Sequence, residues 1–554
     1  MSIGRPGEAR IGWASDPLWW RTPYRLSSAW RIALVVFVAA FASLAITHRP
    51  THLALPRDAA VHDLYADPGA RQALRAGRVT RIDVLTFDQT FDHVDAYHGS
   101  RLVFTTDIAR NGAVVASADL RSSSPAFGSD IANSPWVIGL LAATFVLMTA
   151  VWPLVRVENL DVALTLGFVG SVLLYNHPHP VPFMLVSYPT LAALAIRCAI
   201  RALAPARAHA SVTPLFDHLT ARLGADAQRR ILQLTAVAAG LIVAMVGLSS
   251  LHVVDVGYAV MEGATLLTHG TLPYHHIPDV LHGDTYPLAS YLLYVPFAAL
   301  TPVRDTWADA DATLAVAVIA AIATAVVVGR WRSGAPESSP APRAESAGLR
   351  AAIAWLTFPT VLITVSTGTT DVVLALVLLF ALAAWRRPTI ATAILALGAW
   401  FKLVPLALAP LAFARLRGSG WWRSALVLVG ISAPLLAVLL LFGGLHGLRD
   451  MLIAIGFQGS RTSSFTPWRL TGTVPLQQLV QAAVLALIVG AAVQLRRDRG
   501  LANDRTRLAA LFSAVLLGLQ LAASYWSFLY LVWVLPLVAL MLCRPGEPRL
   551  LPRR

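Results

Sequence analysis

Residues 231–287 read ILQLTAVAAGLIVAMVGLSSLHVVDVGYAVMEGATLLTHGTLPYHHIPDVLHGDTYP. From Ile231 to Ser249 the run is apolar apart from Gln233, Thr235 and the closing serine. That length suits one helical crossing, because about 20 apolar residues cover the hydrocarbon core of a bilayer. The character then changes abruptly. The next stretch carries Asp255, Glu262, Asp279 and Asp284, with five of the chain's 15 histidines. A span that hands over to a loop rich in carboxylates and histidines places titratable groups at a membrane surface.

The rest of the chain repeats the apolar part of this pattern. Of 554 residues, 56% are hydrophobic and 13% charged, and the mean hydropathy is +0.63. A soluble chain of this size carries roughly twice that charge. Apolar segments fall at 30–47, 134–155, 160–175, 181–200, 231–249, 286–300, 312–328, 351–365, 371–385, 390–414, 425–442, 474–495, 508–524 and 528–542. The expected fold is an all-α polytopic membrane protein with about 14 transmembrane helices.

The net charge of +14 does not point to nucleic acid, since no basic face with interleaved aromatics appears. The arginines sit in short clusters between apolar runs. Arg156, Arg197 to Arg230, Arg415 to Arg423, Arg496 to Arg507 and Arg544 to Arg554 all fall on the cytoplasmic side under one alternating scheme. The loops at 50–133, 251–285 and 443–473 then face outward. Arg330, Arg332, Arg386 and Arg387 break the scheme if every segment crosses once. They return inside if 286–300 is re-entrant and 390–414 is split at Lys402 and Pro405. The two arrangements remain open at this point. The expected location is the cell membrane, multi-pass, with the working face outside.

The organisation read from these features has six parts. Residues 1–29 form a cytoplasmic segment and 30–47 a first, uncleaved anchor. Residues 50–133 form a small α+β extracytoplasmic insert carrying ten of the aspartates, with strands expected at Val79 to Phe87, Arg101 to Asp107 and Ala113 to Ala118 after a helix. Residues 134–230 hold three membrane helices and a cytoplasmic linker. Residues 231–543 form a membrane module, and 544–554 a cytoplasmic tail. The two cysteines, Cys198 and Cys543, lie in apolar segments and support neither a disulfide framework nor a cysteine metal site.

Several residues could carry chemistry. Asp255 lies on the N-terminal side of a short interfacial helix expected over 257–268, where a carboxylate can take a proton from a sugar hydroxyl; the alternative is that it is that helix's N-cap. Lys402 is the chain's one lysine, set in AWFKLVPLAL. An ionisable group inside a membrane segment costs on the order of 3 kcal/mol on insertion scales and marks a cavity. A compact ammonium suits phosphate contact; the alternative is a lysine snorkelling to an interface. Arg461, in GFQGSRTSSFTPWR with Phe465 and Trp468, could grip a phosphate or sugar, or be a solvated arginine within an aromatic belt. Asp371 heads a membrane helix, either as a helix-terminal charge or as a cavity acid. His275, His276 and His282 with Asp284 could ligate a divalent ion, but their spacing matches no sharp motif and polar surface is the preferred reading. No cofactor is expected, and no dinucleotide fingerprint or Walker motif occurs.

In this order, the motifs resemble the GT-C superfamily of membrane glycosyltransferases, and most of all glycosyltransferase family 87, the polyprenol-phosphate-mannose-dependent mannosyltransferases and their relatives. The residues that carry the resemblance are Asp255-x-x-Tyr258, Gly270-x-x-Pro273-Tyr274, Gly283-Asp284-Thr285-Tyr286-Pro287, the Asp371 helix start, Lys402-x-x-Pro405, and Arg461 with Ser464-Phe465. They span roughly 231–543. The resemblance implies a GT-C-like helical module, a polyprenyl-phosphate sugar donor and inversion at the anomeric carbon. It also implies Asp255 as catalytic base. The expected site is then Asp255 with Lys402 and Arg461 on the donor phosphate, and Tyr258, Glu262, Tyr274, Asp284, Tyr286, Asp371 and Trp468 as substrate-binding candidates. The expected partners are the lipid-linked donor, a glycan or glycolipid acceptor and the bilayer. Two departures stand out: four membrane segments and an outer domain precede the module, and Asp255 is a single acid. The competing functions are a transporter or flippase of lipid-linked glycans, or a non-catalytic envelope assembly protein.

Overall fold

The computed structural model describes residues 28–47, 53–86, 91–121, 127–203, 213–250, 253–278, 280, 282–304, 307–331, 341–460, 465–470 and 474–543. Helix dominates it, as the apolar runs require, because lipid offers no partner to an unpaired backbone group. Among the described residues seven helices are long and apolar enough to cross a membrane, and eight if one bent pair counts as a single span. Five more apolar helices are shorter, at Arg31–Ile46, Pro135–Thr149, Asp371–Ala383, Pro388–Phe401 and Val404–Phe413. About 14 apolar segments are therefore not 14 full-length spans.

The shortfall has local causes. The 286–300 segment is two short helices, Leu288–Leu292 and Val295–Ala298, each with a proline at its start. Proline lacks the N–H that would continue a helix. The 390–414 segment breaks where the sequence carries Lys402 and Pro405. Pro388–Phe401 ends at an extended Lys402 (φ −154°), and a short 3₁₀ turn, Val404–Leu408, precedes Ala409–Phe413. The 351–365 segment bends by 58° between Glu345–Thr357 and Pro359–Val365.

The 443–473 stretch, expected as an outer loop, is largely helical up to Ser460. Gly420–Ser460 runs on past a break at Gly444, whose φ of +57° only glycine adopts without strain. The second limb lies over the histidine loop. Gln458 Nε2 donates to Thr285 Oγ1 at 2.7 Å, and the His282 ring stacks on Phe457 with centroids 3.8 Å apart.

Between the first helix and the membrane bundle lie two short helices, Arg57–Ala66 and Pro68–Ala76, and an antiparallel meander: β1 (Arg81–Thr86), β2 (Phe91–His98), β3 (Arg101–Ala109) and β4 (Val114–Asp119). Three strands lie where the alternation predicts them. The fourth, β2, escapes the alternation because FDHVDAYH is dense in polar residues. The structure buries them instead. Asp92 and Asp95 are fully enclosed, the first accepting the N–H groups of Ala54 and Leu55 at 2.9 and 2.8 Å. His93 lies between Asp107 at 2.6 Å and Asp95 at 3.2 Å. Burial alone would lower its pKa, but the attraction of Asp95 and the hydrogen bond to Asp107 outweigh it and raise the value to about 10.

The N-terminal block is built into the bundle. Ser28–Thr47 packs along Val474–Arg497, and Gln478 Nε2 donates to the Leu44 carbonyl at 3.1 Å. Pro180–Leu203 packs along Arg505–Ala522, a helix buried for most of its length.

Candidate active site

Three segments far apart in sequence converge on one cavity of about 390 Å³. The first is the start of the helix Asp255–Thr268. Val254 donates its N–H to the Thr367 carbonyl at 3.0 Å. At Gly257 a Cβ would lie 2.9 Å from the Gly368 carbonyl oxygen, so only glycine lets this helix approach the 366–371 turn so closely. Asp255 is the first helical residue, and its Oδ1 accepts the Val256 N–H at 2.9 Å. The cap position itself belongs to Val254, so the alternative of Asp255 as N-cap does not hold. The Asp255 carboxylate is half-buried and lines the cavity. Among the described residues no basic side chain pairs with it.

The second segment is the buried turn Ser366 to Thr370, which delivers Asp371 to the head of Asp371–Ala383. The Asp371 carboxylate, 1% exposed, collects three donors: Lys402 Nζ at 2.5 Å, the Trp533 indole at 2.7 Å and the Thr369 hydroxyl at 2.6 Å. Of the two expected readings, cavity acid describes it better than helix-terminal charge.

The third is the break at Lys402. The chain emerges extended there and turns the ammonium toward Asp371. Three aromatic rings surround the ammonium, with centroids 5.8 Å (Tyr286), 5.2 Å (Tyr530) and 5.3 Å (Trp533) away. Such contacts offset part of the cost of holding a cation out of water. One of the ammonium's three donors is committed to Asp371.

Beside Val253, Val254, Val256, Ser527 and Leu529, the remaining lining is aromatic. Tyr286, Trp307, Tyr525 and Tyr530 come from the membrane module, and Phe127 from the connector below the β-meander. The Phe127 carbonyl is held by the amides of Asn133 and Asn176 at 2.8 and 3.2 Å, and Ser129 donates its N–H to Ser366 Oγ at 3.3 Å. The N-terminal block thus contributes a wall of the cavity.

Asp255, Tyr286, Asp371 and Lys402 are brought together as the motifs suggest. Tyr258 is buried behind the cavity, its ring stacked on Trp307 at 5.3 Å. Glu262, further along the same helix, does not line the cavity. Tyr274 is buried and donates to the Tyr286 carbonyl at 3.3 Å; burial, with Asp284 nearby, raises its phenol well above the ordinary value. Asp284 is buried and accepts the His275 N–H at 2.8 Å, closing the histidine loop on itself. His282 is directed to Phe457 instead, and among the described residues no three His, Cys, Asp or Glu groups could hold a metal ion. Trp468 is a packing residue, buried edge-on against Tyr188 with its indole donating to the Leu521 carbonyl. Arg461, with Ser464, and Asp279 lie outside the described residues.

Phe127, Trp307, Tyr525 and Tyr530 were missed by sequence reasoning. Single aromatics near helix ends look like membrane-interface anchors, and only Tyr525-Trp526, wedged between two apolar segments, offered a local signal.

Residues 285–524 match the model of glycosyltransferase family 87. No curated protein matches the chain. The matched stretch includes Tyr286, Asp371 and Lys402 and begins after Asp255.

Proposed function

Taking as premise a membrane glycosyltransferase with a family 87 match over residues 285–524, we propose that it transfers a sugar from a polyprenyl-phosphate donor to a glycan or glycolipid acceptor. The reaction takes place at the outer membrane face and inverts the anomeric carbon. The observation that carries this reading is the shared cavity: among the described residues, an Asp255 carboxylate with no cationic partner, and Lys402 as the cationic side chain of the lining.

The step balances without a nucleotide or metal. Asp255 accepts the proton of an acceptor hydroxyl. The oxygen forms a bond to the anomeric carbon as the bond from that carbon to the phosphate oxygen breaks, and the lipid phosphate leaves with the electron pair. Lys402, with Arg461 as a second cation, stabilises the charge that collects on the phosphate, an effect that is large where water is excluded. Mannose is the sugar the resemblance favours. Arginine clusters on the opposite side of the expected topology support an outward-facing site.

Asp255→Asn tests this. The change keeps shape and the Oδ1 acceptor for the Val256 N–H but removes the base. Transfer from a polyprenyl-phosphate sugar is expected to fall by about 10²- to 10⁴-fold with the fold intact. Full transfer by the variant would remove Asp255 from the mechanism.

A further inference from the structure

Trp307 presents an unusual combination of exposure and support. It opens a short 3₁₀ turn, Trp307–Ala310, and is 39% exposed, yet it lines the cavity with Asp255. Its indole is held flat. Tyr258, itself 4% exposed, lies against one face, with centroids 5.3 Å apart and ring planes within 15°. Tyr258 sits three residues after Asp255 on the same helix, and residues at that spacing share a helix face. The supporting ring and the carboxylate, which has no cationic partner among the described residues, therefore share one helical turn. Lys402 is anchored elsewhere, at the break after Phe401 and on Asp371. An aromatic face backed by a second ring is the surface against which the C–H face of a pyranose packs, and a ring held there keeps its hydroxyls near the neighbouring carboxylate.

We propose that Trp307 is the stacking platform for the acceptor, and that the acceptor is a pyranoside: a sugar ring whose hydroxyl faces Asp255. The inference rests on the transferase reading for the word acceptor, but not for the ring binding itself. In this arrangement Trp307 positions substrate and takes no part in proton transfer. The cavity's volume, about 390 Å³, lies at the small end of ligand pockets, suited to sugar rings while lipid chains stay in the bilayer.

The test uses the full chain in lipid nanodiscs, as wild type, Trp307→Ala, Trp307→Phe and Asp255→Asn. Saturation-transfer NMR against a panel of methyl hexopyranosides reads ring binding without any turnover. The expected result is a signal from wild type and Asp255→Asn, lost in Trp307→Ala and restored in Trp307→Phe. Transfer assays with polyprenyl-phosphate hexoses as donors and hydrophobic-tagged glycosides as acceptors read the second half. Trp307→Ala should raise the KM for acceptor about three- to tenfold, the scale of a lost aromatic contact, with the donor KM within about twofold. Equal signal from wild type and Trp307→Ala, or none from wild type across the panel, overturns the platform. A change in donor KM alone overturns its assignment to the acceptor. A Trp307-dependent signal in a protein that transfers no sugar upholds the platform and refutes the transferase reading.

Discussion

Removing Lys402 separates two roles that coincide in one ammonium. Lys402→Met keeps side-chain length and deletes the charge. It leaves Asp371, 1% exposed, with the Trp533 and Thr369 donors but, among the described residues, no cation. Losing one partner of a buried pair costs about 3–5 kcal/mol, because the remaining charge is uncompensated. Asp371→Asn in the same chain removes that second charge while the amide oxygen still accepts from Trp533. The double variant should therefore regain a large part of the stability lost by Lys402→Met alone, a coupling that a double-mutant cycle reads directly. Donor use should behave otherwise. If Lys402 binds the lipid phosphate, loss of a charge-assisted hydrogen bond of about 1.5–3 kcal/mol raises the donor KM roughly 10- to 150-fold. The double variant should be no better. The assay pairs unfolding in nanodiscs with donor kinetics at fixed salt. Wild-type stability in Lys402→Met refutes the buried-pair argument. Restoration of the donor KM in the double variant refutes the phosphate contact and leaves Lys402 as a structural counter-ion for Asp371.

Two further outcomes are expected. His93, with its pKa raised to about 10 by Asp95 and Asp107, contributes stability that is complete below its unfolded value near 6.5 and is lost as pH rises toward 10. The gap in unfolding midpoint between wild type and His93→Gln should narrow over that window; a gap independent of pH would mean that the pair of aspartates does not hold the imidazole charged. Finally, with Cys198 and Cys543 both buried and replaced, a cysteine at Thr271 should label with an impermeant thiol reagent in intact cells and one at Ser211 should not; the reverse pattern would put the cavity on the cytoplasmic side.

The apolar run lengths by themselves establish a multi-pass helical protein, because a bilayer accepts few alternatives to a closed helix. The isolated charges at Asp255, Asp371 and Lys402 are also legible locally, since each stands out against apolar neighbours. The breaks near Pro296 and Pro405 coincide with prolines legible in the sequence, though periodicity alone does not say whether a proline kinks a helix or ends it. What chain order hides is which of these residues meet. Asp371 and Lys402 are paired only because the chain is extended at Lys402, and Asp255 joins them only because Gly257 allows helix and turn to touch. Tyr258, Tyr274 and Trp468 carry motif-like signals yet serve packing, since a buried aromatic and a ligand-facing one have the same sequence signature. Phe127 and Trp307 show the converse. Their part in the cavity depends on contacts between blocks far apart in the chain, and those are decided by tertiary packing, where small complementary surfaces rather than hydrophobic pattern select the neighbour.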